Sequence, residues 1–281
     1  MLDSWYGLVS MLLPFQWADH TFMKNALLAV LLATPLFGIL STMVVSSRMA
    51  FFSDSLGHGA FTGIAIGMLV GGLSPLWGIL LFSVAFAVLI TLIKHKSKTA
   101  PDTIIGVFAS TAVALGLVIM SSGGGFNKFS SYLIGDLLSI APLEIIMLLN
   151  VFIGVILLWL LIFNKLLIIS INPALAASRG INTLLIEILF SSALAIVVAM
   201  TIQWVGLLII NSLLVLPAAA ARNITGNVRQ YHCASVCFAV FSGITGLILS
   251  YYLNTATGPT IVLVASLLFF VTFSLRSRFI R

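Results

Sequence analysis

Charged side chains are scarce in this sequence of 281 residues, of which 61% are hydrophobic and only 7% are Asp, Glu, Lys or Arg. That proportion excludes an ordinary soluble domain, in which about 25% of the residues carry charge. Apolar stretches of about 20 residues, long enough to cross a bilayer as a helix, recur almost from end to end. The sequence therefore predicts an all-α polytopic membrane protein.

Cysteine is rare, and two common families of functional motif are missing. The two cysteines, Cys233 and Cys237, lie one helical turn apart at a predicted cytoplasmic helix end, where a structural disulfide is not expected. No Lys-Ser or Lys-Thr pair follows the glycine that a phosphate-binding loop requires, so any ATPase must be another chain. No Ser/His/Asp set suited to an intramembrane hydrolase is present either.

Nine apolar segments are predicted to span the membrane, with eight as the alternative. The alternative arises because residues 121–140 are rich in Gly and Ser and could hold a re-entrant turn, and because the joint at 201–204 is very short. Together the segments make residues 24–281 one transmembrane domain. They cover residues 25–46, 55–72, 75–93, 103–121, 142–163, 183–201, 203–219, 234–253 and 259–275.

Residues 1–23 form an apolar segment that is too short and too interrupted to span. Pro14 breaks it, and it carries Asp3 and Asp19 together with aromatic residues such as Trp5. It has neither the basic start nor the small-residue cleavage site of a signal peptide. We expect an interfacial helix lying on the membrane, with its tryptophans at headgroup depth.

Lysine and arginine predict the orientation, because short cytoplasmic loops retain them. With the C-terminus inside, only Lys24 and Lys128 of the 13 basic residues fall outside. The net charge of +6 therefore reflects topology and gives no reason to expect a nucleic-acid partner. The basic residues on the cytoplasmic side are Arg48, Lys94, Lys96, Lys98, Lys165, Arg179, Arg222, Arg229, Arg276, Arg278 and Arg281.

Asp54 and His58 are the main candidates for a functional site. Their spacing of four places both side chains on one face of a helix, and a carboxylate with an imidazole is a ligand set for a divalent metal. Two other interpretations remain open from the residues alone. Ser53 or Asp54 could cap the helix N-terminus, and His58 could be a hydrogen-bonded core residue.

A stripe of glycines follows these two residues at a spacing of four. Small residues let helices approach closely in membranes, so the stripe predicts tight contact with another helix. We therefore expect the side chains of Asp54 and His58 to be buried in protein and shielded from lipid. The glycines are Gly59, Gly63, Gly67 and Gly71.

Two further acids lie near membrane depth, where a charge is a functional-site hypothesis by default. Asp136 is a candidate on that ground, although it could equally cap a short helix at the outer boundary. Glu187 lies about one turn into its span, and we expect it to reach the cytoplasmic interface.

Residues 172–180, in the longest predicted cytoplasmic connection, have the sequence pattern of a short capped helix. Asn172 is the predicted N-cap, Pro173 takes the first helical position and Gly180 ends the helix. A short helix parallel to the membrane is a docking element for another protein, while an ordinary connector is the alternative.

The stretch Arg48-Met49-Ala50-Phe51-Phe52-Ser53-Asp54-Ser55-Leu56-Gly57-His58 resembles the Arg-Met-x-x-x-Gly-Asp-x-x-x-His signature of metal-ion ABC permeases. These are the membrane subunits of bacterial zinc and manganese importers. The resemblance covers about residues 25–275, and its phrases are most similar to zinc-uptake permeases. Ser53 departs from the glycine that the family usually has there. The other matching stretches, in order, are 102–106, 132–138, 205–210, 214–222 and 258–260.

The resemblance implies the ABC-type metal importer permease fold and an ATP-driven transport subunit in the bacterial inner membrane. It also implies a homodimer with the pathway between protomers, two cytoplasmic ATPase subunits and a periplasmic or extracellular metal-binding protein. Zn²⁺ is the expected cargo and Mn²⁺ the alternative, and no permanently bound cofactor is implied. A gradient-driven secondary transporter is the competing class, for which we find no convincing repeat and few intramembrane charges.

The same resemblance assigns roles to individual residues. Asp54 and His58 match the family's pathway ligands, and Asp136 remains a possible third ligand. Residues 172–180 match the coupling helix that fits a groove on the ATPase. The residues expected to contact the ATPase are Pro173, Leu175, Arg179 and Gly180.

Overall fold

A computed structural model describes residues 2–12, 15–70, 75–97, 99–122 and 135–279. Within these ranges the regular structure is helical, with eleven α-helices and two short 3-10 turns at Gln16–Asp19 and Leu137–Ser139. The helices are α1 (Leu2–Leu12), α2 (Thr21–Ser46), α3 (Ala50–Val70), α4 (Pro75–Lys96), α5 (Pro101–Ser122), α6 (Pro142–Ile171), α7 (Pro173–Ser178), α8 (Thr183–Val205), α9 (Leu207–Arg222), α10 (Val228–Leu253) and α11 (Thr257–Phe279).

Helix lengths agree with the predicted spans. Seven helices of the described residues, namely α2, α4, α5, α6, α8, α10 and α11, are long and apolar enough to cross a membrane. Helix α3 has 21 residues but carries the polar pair, and α9 has 16 residues. The all-α polytopic architecture is confirmed, and eight or nine spans are consistent with these helices. The proposed re-entrant turn falls mainly on residues 123–134, which lie outside the described ranges.

Helix α6 is longer than the predicted span, which ended at residue 163. Its 30 residues run to Ile171. Hydropathy placed the end before Asn164 and Lys165, but the apolar period continues past them because Leu166 and Ile169 are buried, at 2% and 6% exposure. The buried side chains at a spacing of three show that one face of the helix still packs in the protein beyond the polar residues Asn164 and Lys165.

The helices form two compact units, each assembled from separate stretches of chain. The first contains Met1–Thr42, Ile134–Ile153 and Gln203–Arg281, and the second contains Met43–Leu133 and Gly154–Ile202. The functional pair of α3 belongs to the second unit.

In the first unit, two glycines allow a close approach of backbone segments at the joint between α8 and α9. The short joint predicted at residues 201–204 lies instead at the single residue Gly206, because residues 201–204 continue helix α8. Helix α8 ends at Val205, α9 begins at Leu207, and Gly206 has φ of 85°. Gly135, with φ of 72°, lies against this joint so closely that an added Cβ would meet the backbone nitrogen of Gly206. Glycine is needed at both places because L side chains rarely adopt these angles.

In the second unit, the stripe residues Gly59, Gly63 and Gly67 lie against α4, in the close contact with another helix that the spacing predicted, while Gly71 lies outside the described residues. A Cβ added at Gly63 would lie 2.8 Å from the carbonyl oxygen of Gly78 and 2.9 Å from the Cα of Ile79. On another side of α3, the hydroxyl of Thr62 donates to the carbonyl of Ala112 in α5. Helix α3 is therefore held between α4 and α5, with its polar pair near its N-terminal end.

Replacing Gly63 by Leu is expected to lower the free energy of unfolding by about 1–3 kcal/mol, because the added side chain forces α3 away from α4. Gly154 of α6 is the matched control, since a Cβ there meets nothing within 4 Å. Unfolding in mixed detergent micelles measures both variants. Equal stability of Gly63→Leu and Gly154→Leu would contradict the close approach.

Candidate functional site

Asp54 lies inside helix α3 and is not its cap. The helix begins at Ala50, so Asp54 is one turn beyond the first residue. Ser53 does not cap the helix either, because it lies three residues inside the helix, where its hydroxyl donates to the carbonyl of Ala50 at 2.8 Å. The capping interpretation of these two residues is therefore wrong. The carboxylate of Asp54 does not bind the N–H groups at the helix start.

The side chains of Asp54 and His58 meet, as their spacing predicts. The Nε2 atom of His58 lies 3.5 Å from Oδ2 of Asp54. The side chains are 36% exposed for His58 and 40% exposed for Asp54, whereas Ser55 and Leu56 between them are fully buried. The carboxylate and the imidazole thus lie on the exposed face of a helix segment whose other side chains are buried.

The expected burial of this pair is wrong within a single chain. The glycine stripe that predicted it packs against α4, as expected, but it does so on a face of α3 that the pair does not share. Phe51, which is 62% exposed, lies on the same side as the pair at a spacing of three from Asp54. This side of α3 is accessible to an ion or to another surface.

Asp54 and His58 are the two side chains of this candidate site within the part of the chain that the structure describes. Among the described residues, no group of three His, Cys, Asp or Glu side chains is placed to hold a metal ion. A closed structural zinc site has four protein ligands, so an ion at Asp54 and His58 completes its coordination with water or with groups from elsewhere. Such an open site suits an ion that passes through.

Asp136 belongs to the first unit and caps a short turn. Its Oδ1 atom accepts a hydrogen bond from the backbone N–H of Leu138 at 3.1 Å, and its own N–H donates to the carbonyl of Gln203 at 3.4 Å. The side chain is exposed. The capping interpretation thus has direct support, and a role for Asp136 as a metal ligand stays a prediction.

Glu187 forms an ion pair with Lys94 that no spacing rule predicts. Its Oε2 atom lies 3.1 Å from Nζ of Lys94, with side chains 20% and 19% exposed. One turn away, the hydroxyl of Thr91 donates to that of Ser191 at 2.9 Å in a buried contact. Helices α4 and α8 are therefore joined by two polar contacts, and the expectation that Glu187 reaches the cytoplasmic interface stays a prediction.

Replacing Lys94 by Met or Glu187 by Gln is expected to lower the free energy of unfolding by about 1–3 kcal/mol each, since each leaves a mostly buried partner unpaired. The double variant is expected to cost less than the sum of the two. Unfolding in mixed micelles measures this cycle, with Glu144→Gln as a control for an acid outside the pair. Strict additivity would show that the two charges do not interact.

Helix α7 has the predicted capped structure. Oδ1 of Asn172 accepts from the N–H groups of Ala174 and Leu175, at 3.0 and 3.2 Å, and Pro173 is the first helical residue. Gly180 follows with φ of 72° and its N–H donates to the carbonyl of Ala177 at 3.0 Å.

The surface of α7 is open. Ala176 is fully buried and anchors the helix. The four residues expected to contact a partner, Pro173, Leu175, Arg179 and Gly180, are all exposed in this chain. Leu175 is 43% exposed, which is an apolar surface at a predicted cytoplasmic position.

The chain matches known proteins along most of its length. The sequence pattern of the ABC 3 transport family matches residues 19–276. A high-affinity zinc uptake system membrane protein, ZnuB of Haemophilus influenzae, is 30% identical over 257 residues, which are 90% of this chain and 97% of that protein. A manganese transport system membrane protein, MntC of Listeria monocytogenes, is 28% identical over 255 residues, or 91% of each chain.

A solved structure has the same fold. It is that of PsaBC from Streptococcus pneumoniae in complex with Fab, which matches with a TM-score of 0.78 and 25% sequence identity over 97% of this chain and 95% of that chain. The family match covers both units and includes helix α3 with its polar pair. The chain is therefore a member of the ABC 3 transport family, a multi-pass permease of the metal-ion ABC transporters in the bacterial inner membrane.

Proposed function

We propose that this permease imports a divalent metal ion, with Zn²⁺ as its cargo, in an ATP-driven transporter. The observation that carries the proposal is the contact of Asp54 and His58 on an accessible side of α3. A carboxylate and an imidazole bind divalent metals readily, and two ligands hold an ion weakly enough to release it. The chain is a transport subunit and performs no catalysis itself.

Zinc is favoured over manganese by the chemistry of the pair. An imidazole nitrogen suits zinc, whereas manganese prefers oxygen ligands, and nitrogen and oxygen sites bind zinc more tightly. Relatives are named for both metals, however, so Mn²⁺ is the second candidate cargo. The delivery protein outside the membrane is expected to decide much of the choice.

A homodimer fits the open coordination at α3. Two copies that face each other across this side would place their Asp54 and His58 pairs along one pathway, and the ion would pass between the protomers while held by only a few ligands at a time. The half-exposed state of Asp54 and His58 in one chain is what such an arrangement requires.

The energy is proposed to come from ABC ATPase subunits in the cytoplasm, with α7 as their docking helix. Its rigid caps and exposed residues support this role. A metal-binding protein is proposed to deliver the ion at the outer surface.

Metal accumulation in cells tests the proposal. Bacteria lacking their own zinc and manganese importers would express this permease with a candidate ATPase and binding protein, and total metals would be measured by mass spectrometry. We expect zinc to accumulate, and to stop accumulating when the ATPase carries a substitution in its phosphate-binding lysine. Accumulation that survives this substitution would favour a gradient-driven transporter, and accumulation of manganese alone would favour the second cargo.

A further inference from the structure

The N-terminal helix α1 is attached to the start of α2 by three hydrogen bonds. The indole N–H of Trp5 donates to the carbonyl of Lys24 at 3.0 Å, and the hydroxyl of Tyr6 donates to Oδ1 of Asn25 at 2.7 Å. The ammonium of Lys24 donates to the hydroxyl of Ser10 at 2.7 Å. Helix α1 is thus fixed to the permease in a defined position, although the proposed transport function gives it no role.

A groove of about 300 Å³ lies between α1, α2 and α6 in the first unit. Its lining is almost entirely apolar. Lys24, Leu28 and Leu32 follow one another at a spacing of four, so the groove runs along one side of α2 and away from the lysine for two turns. Its main lining residues are Trp5, Leu8, Leu28, Leu32, Ile145 and Leu149.

The surface around the groove is that of a protein facing hydrocarbon. Large apolar side chains beside it are well exposed, with Leu8 at 50%, Ile146 at 44% and Leu143 at 63%. Water is a poor occupant, because a buried water needs two to four polar partners and the lining supplies almost none. An acyl chain matches the apolar chemistry of this groove.

Lys24 lies one helical turn before Leu28 on α2; it does not line the groove, but Trp5, which does, donates to its carbonyl. Lys24 is one of only two basic residues that the positive-inside rule places outside, and Ser10 takes one of the three hydrogens of its ammonium. Among the ion pairs between described residues, none involves Lys24, and Glu144 at the start of α6 accepts a hydrogen bond from the N–H of Ala141 at 2.8 Å. Trp5 beside Lys24 has the amphipathic ring that prefers headgroup depth.

We propose that this groove is a binding site for one glycerophospholipid of the outer leaflet, with an acyl chain along Leu28 and Leu32 and the phosphate diester at Lys24. The N-terminal segment then serves to close one wall of a lipid site. The apolar groove provides affinity for the chain, and the ammonium selects the anionic headgroup. This inference does not depend on the transported metal or on Asp54 and His58.

Native mass spectrometry of the full-length permease in detergent tests the site with phosphatidylglycerol as the probe. We expect one saturable lipid adduct on the wild-type chain. Leu32→Trp fills the groove and is expected to weaken binding at least about tenfold. Leu263→Trp is the matched control, because Leu263 on α11 is 70% exposed and does not line the groove, and it is expected to bind as the wild type does.

The variant Lys24→Gln tests the contribution of the phosphate headgroup to binding apart from that of the acyl chains. Glutamine can still bond to Ser10 but carries no charge, so the affinity for phosphatidylglycerol is expected to fall about fivefold. Diacylglycerol, which has the chains without the phosphate, is expected to bind the wild type and this variant equally. Equal binding of phosphatidylglycerol to both would overturn the contact between Lys24 and the phosphate.

Photolabelling tests the site on the wild-type chain alone, so its result does not depend on whether a variant folds correctly. Phosphatidylglycerol with a diazirine in its acyl chain, incorporated with the permease into vesicles of bacterial lipid, is expected to label peptides that contain residues 28–32 and 145–149. Labelling spread evenly over all exposed helices, or the absence of a saturable adduct, would show that no such site exists.

Discussion

Replacing Asp54 by Asn or His58 by Gln is expected to lower metal uptake by about 100-fold or more. Even partners that only orient a metal ligand change affinity or activity by about 10- to 100-fold, and these two side chains are the proposed ligands themselves. Both replacements keep the size of the side chain. Since Asp54 and His58 are half-exposed, neither change should leave a buried group unpaired.

The measurement is uptake of radioactive zinc in proteoliposomes that contain the permease, its ATPase and its binding protein. Asp102→Asn and His95→Gln are matched controls, because both residues are exposed and lie on other helices. Uptake in the controls is expected to equal that of the wild type. Wild-type uptake by both Asp54→Asn and His58→Gln, in complexes that assemble normally, would defeat the ligand hypothesis.

Replacing Leu175 by Asp is expected to separate the permease from its ATPase. The exposed apolar side chain of Leu175 on this capped helix is the proposed centre of the contact with the ATPase. Removing such a centre typically costs about 2 kcal/mol of binding free energy, which is a change in affinity of about 30-fold. A carboxylate at this position would have to be desolvated on docking. We therefore expect ATP-driven uptake to fall by about the same factor.

Co-purification of the tagged permease with the ATPase measures this effect directly. Leu253→Asp is the control. Leu253 is also an exposed leucine, at 62%, but it lies at the end of α10 that the predicted topology places outside the cell. A second variant, Asn172→Ala, removes the cap that holds α7 and is expected to weaken binding without changing the contact surface. Full retention of the ATPase by Leu175→Asp would show that α7 is an ordinary connector.

Local rules predicted much of this fold. Hydropathy located the spans because a bilayer demands long apolar helices whatever their packing. The cap grammar predicted α7 because Asn172, Pro173 and Gly180 act within a few residues of one another. The glycine stripe predicted close packing of α3 because small residues are needed wherever two helices nearly touch.

What could not be predicted depends on contacts between distant parts of the chain. Lys94 and Glu187 are 93 positions apart in number, and no spacing rule relates them, although both were placed near cytoplasmic helix ends. The exposure of Asp54 and His58 depends on which side of α3 faces α4 and α5. The sequence showed that α3 packs tightly but not which residues the packing leaves uncovered.

ATP-dependent uptake of radioactive zinc by the wild-type complex in proteoliposomes, with manganese as competitor, tests the central claim most directly. We predict that zinc enters only when ATP is present and that excess manganese reduces its entry little. Zinc entry without ATP, or entry driven equally well by an ion gradient, would contradict the assignment of this permease to an ATP-driven metal importer.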